Sequence, residues 1–166
     1  LSMCGMAGLF LHRGAEPLSA NMDAMLRVMI HRGPDGEKRN SSPDGLYQAG
    51  IRRLAIIELE TGAQPIQDSE KNKVLMGNGE IYNYRELRQA YQDYPYQTSG
   101  YMESMLALIR EKGDAFVNDL NGMYALAIHD AKTHRLTLVR DRLGVKPLYW
   151  AELPGGGVLF ASEIKA

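Results

Sequence analysis

The one cysteine of the chain, Cys4, stands beside Gly5 at the head of a short apolar run. A thiol becomes a strong nucleophile when a base takes its proton. Removal of Met3 would make Cys4 the first residue and place its thiol and α-amine on one carbon skeleton. A free α-amine has an ordinary pKa of about 7.7–8.0, so it accepts a proton near neutral pH, which an amide nitrogen cannot. Nucleophile and base would then share one residue, with no His required. Taken alone, a Cys in this place is more often a small packed hydrophobe.

A second stretch supplies what a nucleophile needs opposite it. Gly77-Asn78-Gly79-Glu80 lies between an apolar run and a helix start, and its composition predicts a loop. Such a loop offers the Asn78 side-chain amide and the Gly79 N–H to a single oxygen, and the missing Cβ of Gly79 permits close approach. Two donors converging where negative charge develops is the requirement of acyl transfer, and loss of one raises the barrier by about 2.7–4 kcal/mol. The bland alternative for this stretch is a plain turn.

Elements must hold these groups. Apolar runs predict strands over 6–11, 53–59, 74–76, 123–128, 136–139 and 158–160. Leu18, Met22, Met25, Leu26, Met29 and Ile30 follow helical spacing, with Ser19 as the N-cap. Asn83 with Glu86 three residues on reads as a capping box for a helix carrying Leu87 and Tyr91. Met102, Met105, Leu106 and Ile109 stripe another helix, which Gly113 ends. Short turns such as Asp130-Ala131-Lys132-Thr133 favour antiparallel sheets in one α+β domain spanning residues 1–166.

Composition narrows the function classes. With 19 basic and 20 acidic residues the net charge is −1, which excludes the electrostatic footprint of a nucleic-acid binder and polybasic membrane attachment. Hydrophobic and charged fractions of 45% and 23% argue against disorder. No apolar run approaches the roughly 20 residues of a transmembrane helix. A lone Cys excludes an intrachain disulfide and points to a reducing, cytoplasmic setting. Leu1-Ser2-Met3-Cys4 lacks the apolar run and small residue of a lipoprotein cleavage site, so Met3 reads as the natural start after a cloning remnant. His12, His31, His129 and His134 show no metal-ligand spacing. The nine methionines read as core packing, and Gly155-Gly156-Gly157 as a turn.

The chain resembles the glutamine-hydrolysing domain of class II amidotransferases, which are N-terminal-nucleophile hydrolases, and is most similar to that of glutamine-dependent asparagine synthetases. The resemblance rests on Met3-Cys4-Gly5-Met6-Ala7-Gly8, His31-Arg32-Gly33-Pro34-Asp35, Arg53-Leu54-Ala55-Ile56-Ile57, Gly77-Asn78-Gly79-Glu80-Ile81-Tyr82-Asn83, the segment from Arg140 to Tyr149, and the closing Phe160-Ala161-Ser162-Glu163-Ile164-Lys165-Ala166. It implies a four-layer αββα sandwich of two antiparallel sheets between helical layers. It further implies that Cys4 attacks the side-chain amide of glutamine and that Asn78 and Gly79 hold the oxyanion. Arg53 would grip the glutamine α-carboxylate, Ile56 would give backbone contacts, and Glu80 would help bind the amino-acid group. Without the family, Arg52 and Arg53 read as solvated surface charges.

Two positions depart from the family pattern. Thr98 and Glu103 place Tyr101 where relatives carry the Asp that binds the glutamine α-ammonium. A phenol cannot replace that carboxylate, though its ring face offers a weaker cation contact of about 0.5–2 kcal/mol. Ile51 stands where many relatives have His, and is expected to be packing. Two readings follow: a working glutaminase, or a domain that keeps the fold as a docking module. The resemblance also implies a domain cut from a longer chain, with no cofactor of its own. Its ammonia would pass to a C-terminal synthetase domain that uses ATP and Mg, in a parent able to form a homodimer, with aspartate the simplest acceptor.

Overall fold

A computed structural model describes residues 4–15, 21–54 and 64–166. Strand β1 (Gly5–Leu11) is buried along its whole length, so it must lie between two apolar layers. It pairs antiparallel with β3 (Tyr47–Arg53) on one side and β9 (Gly157–Ala161) on the other. With β2 (Gly36–Ser41) and β8 (Tyr149–Glu152) at the edges, the five-stranded sheet has the order β2-β3-β1-β9-β8. A second, four-stranded antiparallel sheet runs β4 (Ile66–Gln67), β5 (Lys73–Ile81), β6 (Gly122–Asp130) and β7 (Arg135–Arg140).

Side-chain alternation assigns each face. Met6, Phe10, Tyr47, Ile51 and Phe160 of the first sheet meet Met76, Ala125 and Ala127 of the second in an inter-sheet core. The opposite face of the first sheet is covered by α1 (Met22–Arg27) and the turn after it, where Met22, Leu26 and Met29 pack on Ala7 and Ala161. The outer face of the second sheet is covered by α3 (Tyr101–Lys112), which sets Met102, Met105, Leu106 and Ile109 against Leu75, Leu126 and Ile128. These are the four expected αββα layers. Ile51, 2% exposed, is core packing as expected. Among the described residues no helix is long and apolar enough to cross a membrane.

Several local expectations are corrected. The start of β3 at Tyr47 lies ahead of any expected strand; of the range 53–59, Arg53 is the last residue of β3, Leu54 is not strand, and 55–59 lie outside the described residues. Leu18 and Ser19 also lie outside them; the cap of α1 is Asn21, whose side chain accepts from Ala24 N–H at 3.0 Å. Asn83 precedes α2 (Tyr84–Ala90) but makes no side-chain cap. It bridges outward instead, donating to the Asp119 carbonyl (2.8 Å) and accepting from Asn121 N–H (3.0 Å). Strands β2 and β8 are not among the expected ones: β2 is polar, and β8 is only four residues long with Tyr149 and Trp150 exposed, both lying at sheet edges where exposure frees the side chains from alternation. Gly113 does end α3, with φ +54.

The end of the inter-sheet layer near Phe10 holds an aromatic cluster. His129, 3% exposed, stacks on Tyr47 with ring centroids 4.0 Å apart, and among the described residues its Nε2 has no partner. Burial pulls its pKa below the ordinary His value, His134 adds to this, and Asp130 and Asp44 oppose it in part. The stabilising contribution of neutral His129 is therefore complete above the unfolded value of about 6.5 and falls as acid protonates the unfolded chain first. Below the folded pKa it is lost entirely. His129→Phe is expected to flatten the fall of unfolding free energy below about pH 6.5, read by denaturant melts across pH.

Candidate active site

Cys4 lies one residue ahead of β1, half-buried, with its side chain against the inter-sheet core that includes Met76. Distant segments pin its backbone. Arg32 Nε donates to the Cys4 carbonyl (3.2 Å), and Arg32 Nη1 and His31 Nε2 both meet Glu163 Oε1, at 3.3 and 2.8 Å. Met6 N–H donates to Ser162 Oγ (3.0 Å), and Ser162 N–H to the Met6 carbonyl (2.8 Å). Burial pushes the Glu163 carboxyl up, but His31, Arg32 and Lys165 outweigh it and hold its pKa below the usual range. Gly33 sits where a Cβ would strike the Arg52–Arg53 peptide, so only glycine lets this segment close on β3. The sequence marks 31–35 and 160–166 as motifs; their work, clamping the start of β1, is visible only in three dimensions.

The Gly77-Asn78-Gly79-Glu80 stretch is strand, not loop: it forms the second half of β5 and pairs with β6, Asn78 opposite Ala125 and Gly79 opposite Tyr124. Asn78 shares the face of Met76, two residues before it, and so looks into the layer on which Cys4 packs. It is 5% exposed, yet among the described residues its Nδ2 has no hydrogen-bond partner. Leaving a buried donor unpaired costs about 1–3 kcal/mol, which marks the position as one kept for something other than stability. Arg32 Nη2, on the side chain that holds the Cys4 carbonyl, is likewise buried without a partner among the described residues. Both unmet groups are donors. They suit a ligand rich in acceptor oxygens.

Gly79 completes the geometry. Its φ of +143° is closed to other residues, and a Cβ would collide with the Met123 carbonyl oxygen. In an antiparallel strand the N–H and C=O of one residue point to the same side. On that side of β5, pairing with β4 stops at Leu75; Gly77 N–H donates to Gln64 Oε1 (2.6 Å), and the Gly79 carbonyl accepts from the Tyr101 hydroxyl (2.7 Å). The Gly79 N–H therefore leaves β5 at the same edge, which among the described residues no strand covers beyond Leu75.

The other expected site residues are placed as follows. Arg53 closes β3, half-buried, opposite Gly36, with its carbonyl accepting from Asp35 N–H at 3.1 Å. Arg52 is not a solvated charge: its side chain is 12% exposed and Nη1 meets Glu37 at 3.1 Å. Ile56 lies outside the described residues. Glu80 is exposed, two residues beyond Asn78. Tyr101 opens α3, half-buried, its ring edge-on to Tyr84 at 6.3 Å. The segment ahead of it is held by Glu103, 2% exposed, which accepts from Gln97 N–H (2.7 Å), Thr98 N–H (2.7 Å) and the Thr98 hydroxyl (2.8 Å).

The segment from Arg140 to Tyr149 is a rigid brace beside β6. Asp141 accepts backbone N–H groups of Tyr124, Leu143, Val145 and Lys146 at 2.9–3.2 Å. Burial raises its pKa, and these four bonds outweigh burial to leave it below the carboxylate range. Through Tyr124 the brace fixes the strand residue that faces Gly79.

Comparison with known sequences decides the family. A profile of the glutamine amidotransferase domain matches residues 3–166. This chain belongs to that family. Among its relatives are asparagine synthetase [glutamine-hydrolyzing] 2 of Bacillus subtilis (38% identical over 99% of this chain and 22% of the relative) and asparagine synthetase B [glutamine-hydrolyzing] of Escherichia coli (39%, over 99% and 30%). A probable asparagine synthetase of Dictyostelium discoideum is 38% identical over 99% of this chain and 30% of its own length. The chain thus spans less than a third of these relatives. In this amidotransferase domain the two sheets and their helical covers match the N-terminal-nucleophile hydrolase sandwich.

Proposed function

We propose that the domain hydrolyses glutamine to glutamate and ammonia through a Cys4 thioester. The observation that carries this reading is the unpaired, buried Asn78 amide on the face that looks toward the nucleophile's layer. The α-amine of a terminal Cys4 takes the thiol proton, and the sulfur attacks the side-chain amide carbon. Charge on the former carbonyl oxygen is met by Asn78 Nδ2 and Gly79 N–H. Collapse breaks the C–N bond, and the amine returns its proton to the departing ammonia. Water, deprotonated by the same amine, then splits the thioester to release glutamate.

Arg53 grips the α-carboxylate, a task its fork of donors suits, while Glu80 and Tyr101 border the amino-acid end and Ile56, outside the described residues, keeps its expected role of backbone contacts. Arg53→Ala is expected to raise KM for glutamine about 10- to 150-fold, the worth of a charged hydrogen bond, with a smaller change in kcat. Ammonia is consumed best before water protonates it, and the lengths and names of the relatives support a synthetase partner for this domain. In this reading that partner activates a carboxylate with ATP and Mg, aspartate being the simplest acceptor. A second reading, a docking module with little hydrolysis, rests on Tyr101, whose hydroxyl is spent on a backbone carbonyl. Ammonia release by the chain processed to begin at Cys4 separates them: turnover at millimolar glutamine supports the glutaminase, and none supports the module.

A further inference from the structure

We propose that Tyr101 is a positioning residue of the oxyanion site, its hydroxyl holding the Gly79 carbonyl and thereby the aim of the Gly79 N–H; this rests on the glutaminase reading above. Gly79 sits on the edge of β5 that β4 no longer covers, so no strand neighbour fixes its peptide groups there among the described residues. Glycine also has no side chain to restrain its backbone, and at φ +143° it occupies a region that other residues avoid. An oxyanion donor works only if it is already aimed when charge appears. The 2.7 Å bond from Tyr101 supplies the missing constraint.

The phenol is itself well anchored. It is carried by the first turn of α3, its ring is edge-on to Tyr84, and the preceding turn is locked by Glu103 and by Arg88. Arg88 donates to the carbonyls of Thr98 (2.8 Å) and Gly100 (3.1 Å) while lying 3.8 Å from the Tyr96 ring centroid. A partly buried set of contacts thus fixes the turn before Tyr101 through Glu103 and Arg88, and Tyr101 carries it to the glycine. A carboxylate in place of Tyr101 would have no proton to donate to that carbonyl, so the tether is particular to this residue.

The test is Tyr101→Phe in the chain beginning at Cys4, assayed with glutamine and with glutaramate, which is glutamine without its α-amino group. The expected result is a fall in kcat of about tenfold on both, less than the 10²–10³ that removing a donor outright costs, with KM within about twofold. In parallel, the ¹⁵N order parameter of the Gly79 amide is expected to drop from about 0.85 towards 0.6, while residues of β6 hold theirs and report an intact fold. Tyr84→Phe, which removes the neighbouring phenol hydroxyl, is expected to change none of these. A loss confined to KM for glutamine, absent with glutaramate, would make Tyr101 a partner of the ammonium and overturn the proposal. An unchanged Gly79 order parameter, or an unchanged kcat beside an active wild type, overturns it alone. A processed wild type that hydrolyses neither substrate overturns the glutaminase reading together with it.

Discussion

The chain beginning at Cys4 is expected to release ammonia from glutamine, and the same chain carrying residues 1–3 is expected to release none above background. In the longer form the Cys4 nitrogen is an amide, which cannot take the thiol proton. Loss of a positioned general base costs about 10²–10⁴ in rate, and among the described residues no His is bonded to Cys4 to replace it. The donors on β5 are built without residues 1–3, since Asn78 and Gly79 are held by β6, Tyr101 and the Asp141 brace. Both forms are therefore expected to unfold at the same denaturant concentration while only one turns over. Intact mass defines the terminus and a coupled ammonia assay reads the rate; fast hydrolysis by the unprocessed form would remove the α-amine from the mechanism.

Asn78→Ala is expected to lower kcat by about 10²–10³ with KM close to wild type, the signature of a group that acts on developing charge. Its effect on stability separates a catalytic donor from a structural one. A structural Asn would be hydrogen-bonded through its amide nitrogen, and truncation would destabilise the fold. Here that nitrogen has no partner, so truncation removes a buried unpaired group along with some packing, and the unfolding free energy is expected to move by no more than about 1 kcal/mol. Asn78→Asp, of the same shape, places a carboxylate where the oxyanion forms and is expected to be at least as damaging. Steady-state kinetics beside denaturant melts decide the matter: an unchanged kcat in Asn78→Ala would leave the buried amide without a catalytic purpose.

Much of this was legible in the residues. Short apolar runs located β1, β6, β7 and β9, helical spacing located α3, and Gly113 closed it. Where local rules failed, a non-local interaction had overridden them. Gly77-Asn78-Gly79 has the composition of a turn, and Gly and Asn are poor strand formers, yet full pairing with β6 makes it strand. Asn83 has the makings of a cap, but the carbonyl of Asp119 and the N–H of Asn121 claim its side chain. The edge strands β2, polar throughout, and β8, exposed although it carries Tyr149 and Trp150, show no alternation because they bury one face poorly or not at all.

By itself the sequence determined the chemical inventory: a thiol that processing can make terminal, an amide and a glycine side by side, an arginine for a carboxylate, and a near-neutral chain without the charge for nucleic acid. Tertiary structure alone decided which of those groups are committed and which are left open. Arg32, a surface charge by its type, is buried and holds the Cys4 carbonyl from 28 residues away, and Ser162 pairs with Met6 across 156. Tyr101, apparently a mere departure from pattern, reaches the Gly79 carbonyl from a different layer. The physical reason is that hydrogen-bond satisfaction is accounted over the whole fold. Whether a donor such as Asn78 Nδ2 is spent or free depends on partners far away in the chain, which no local spacing records.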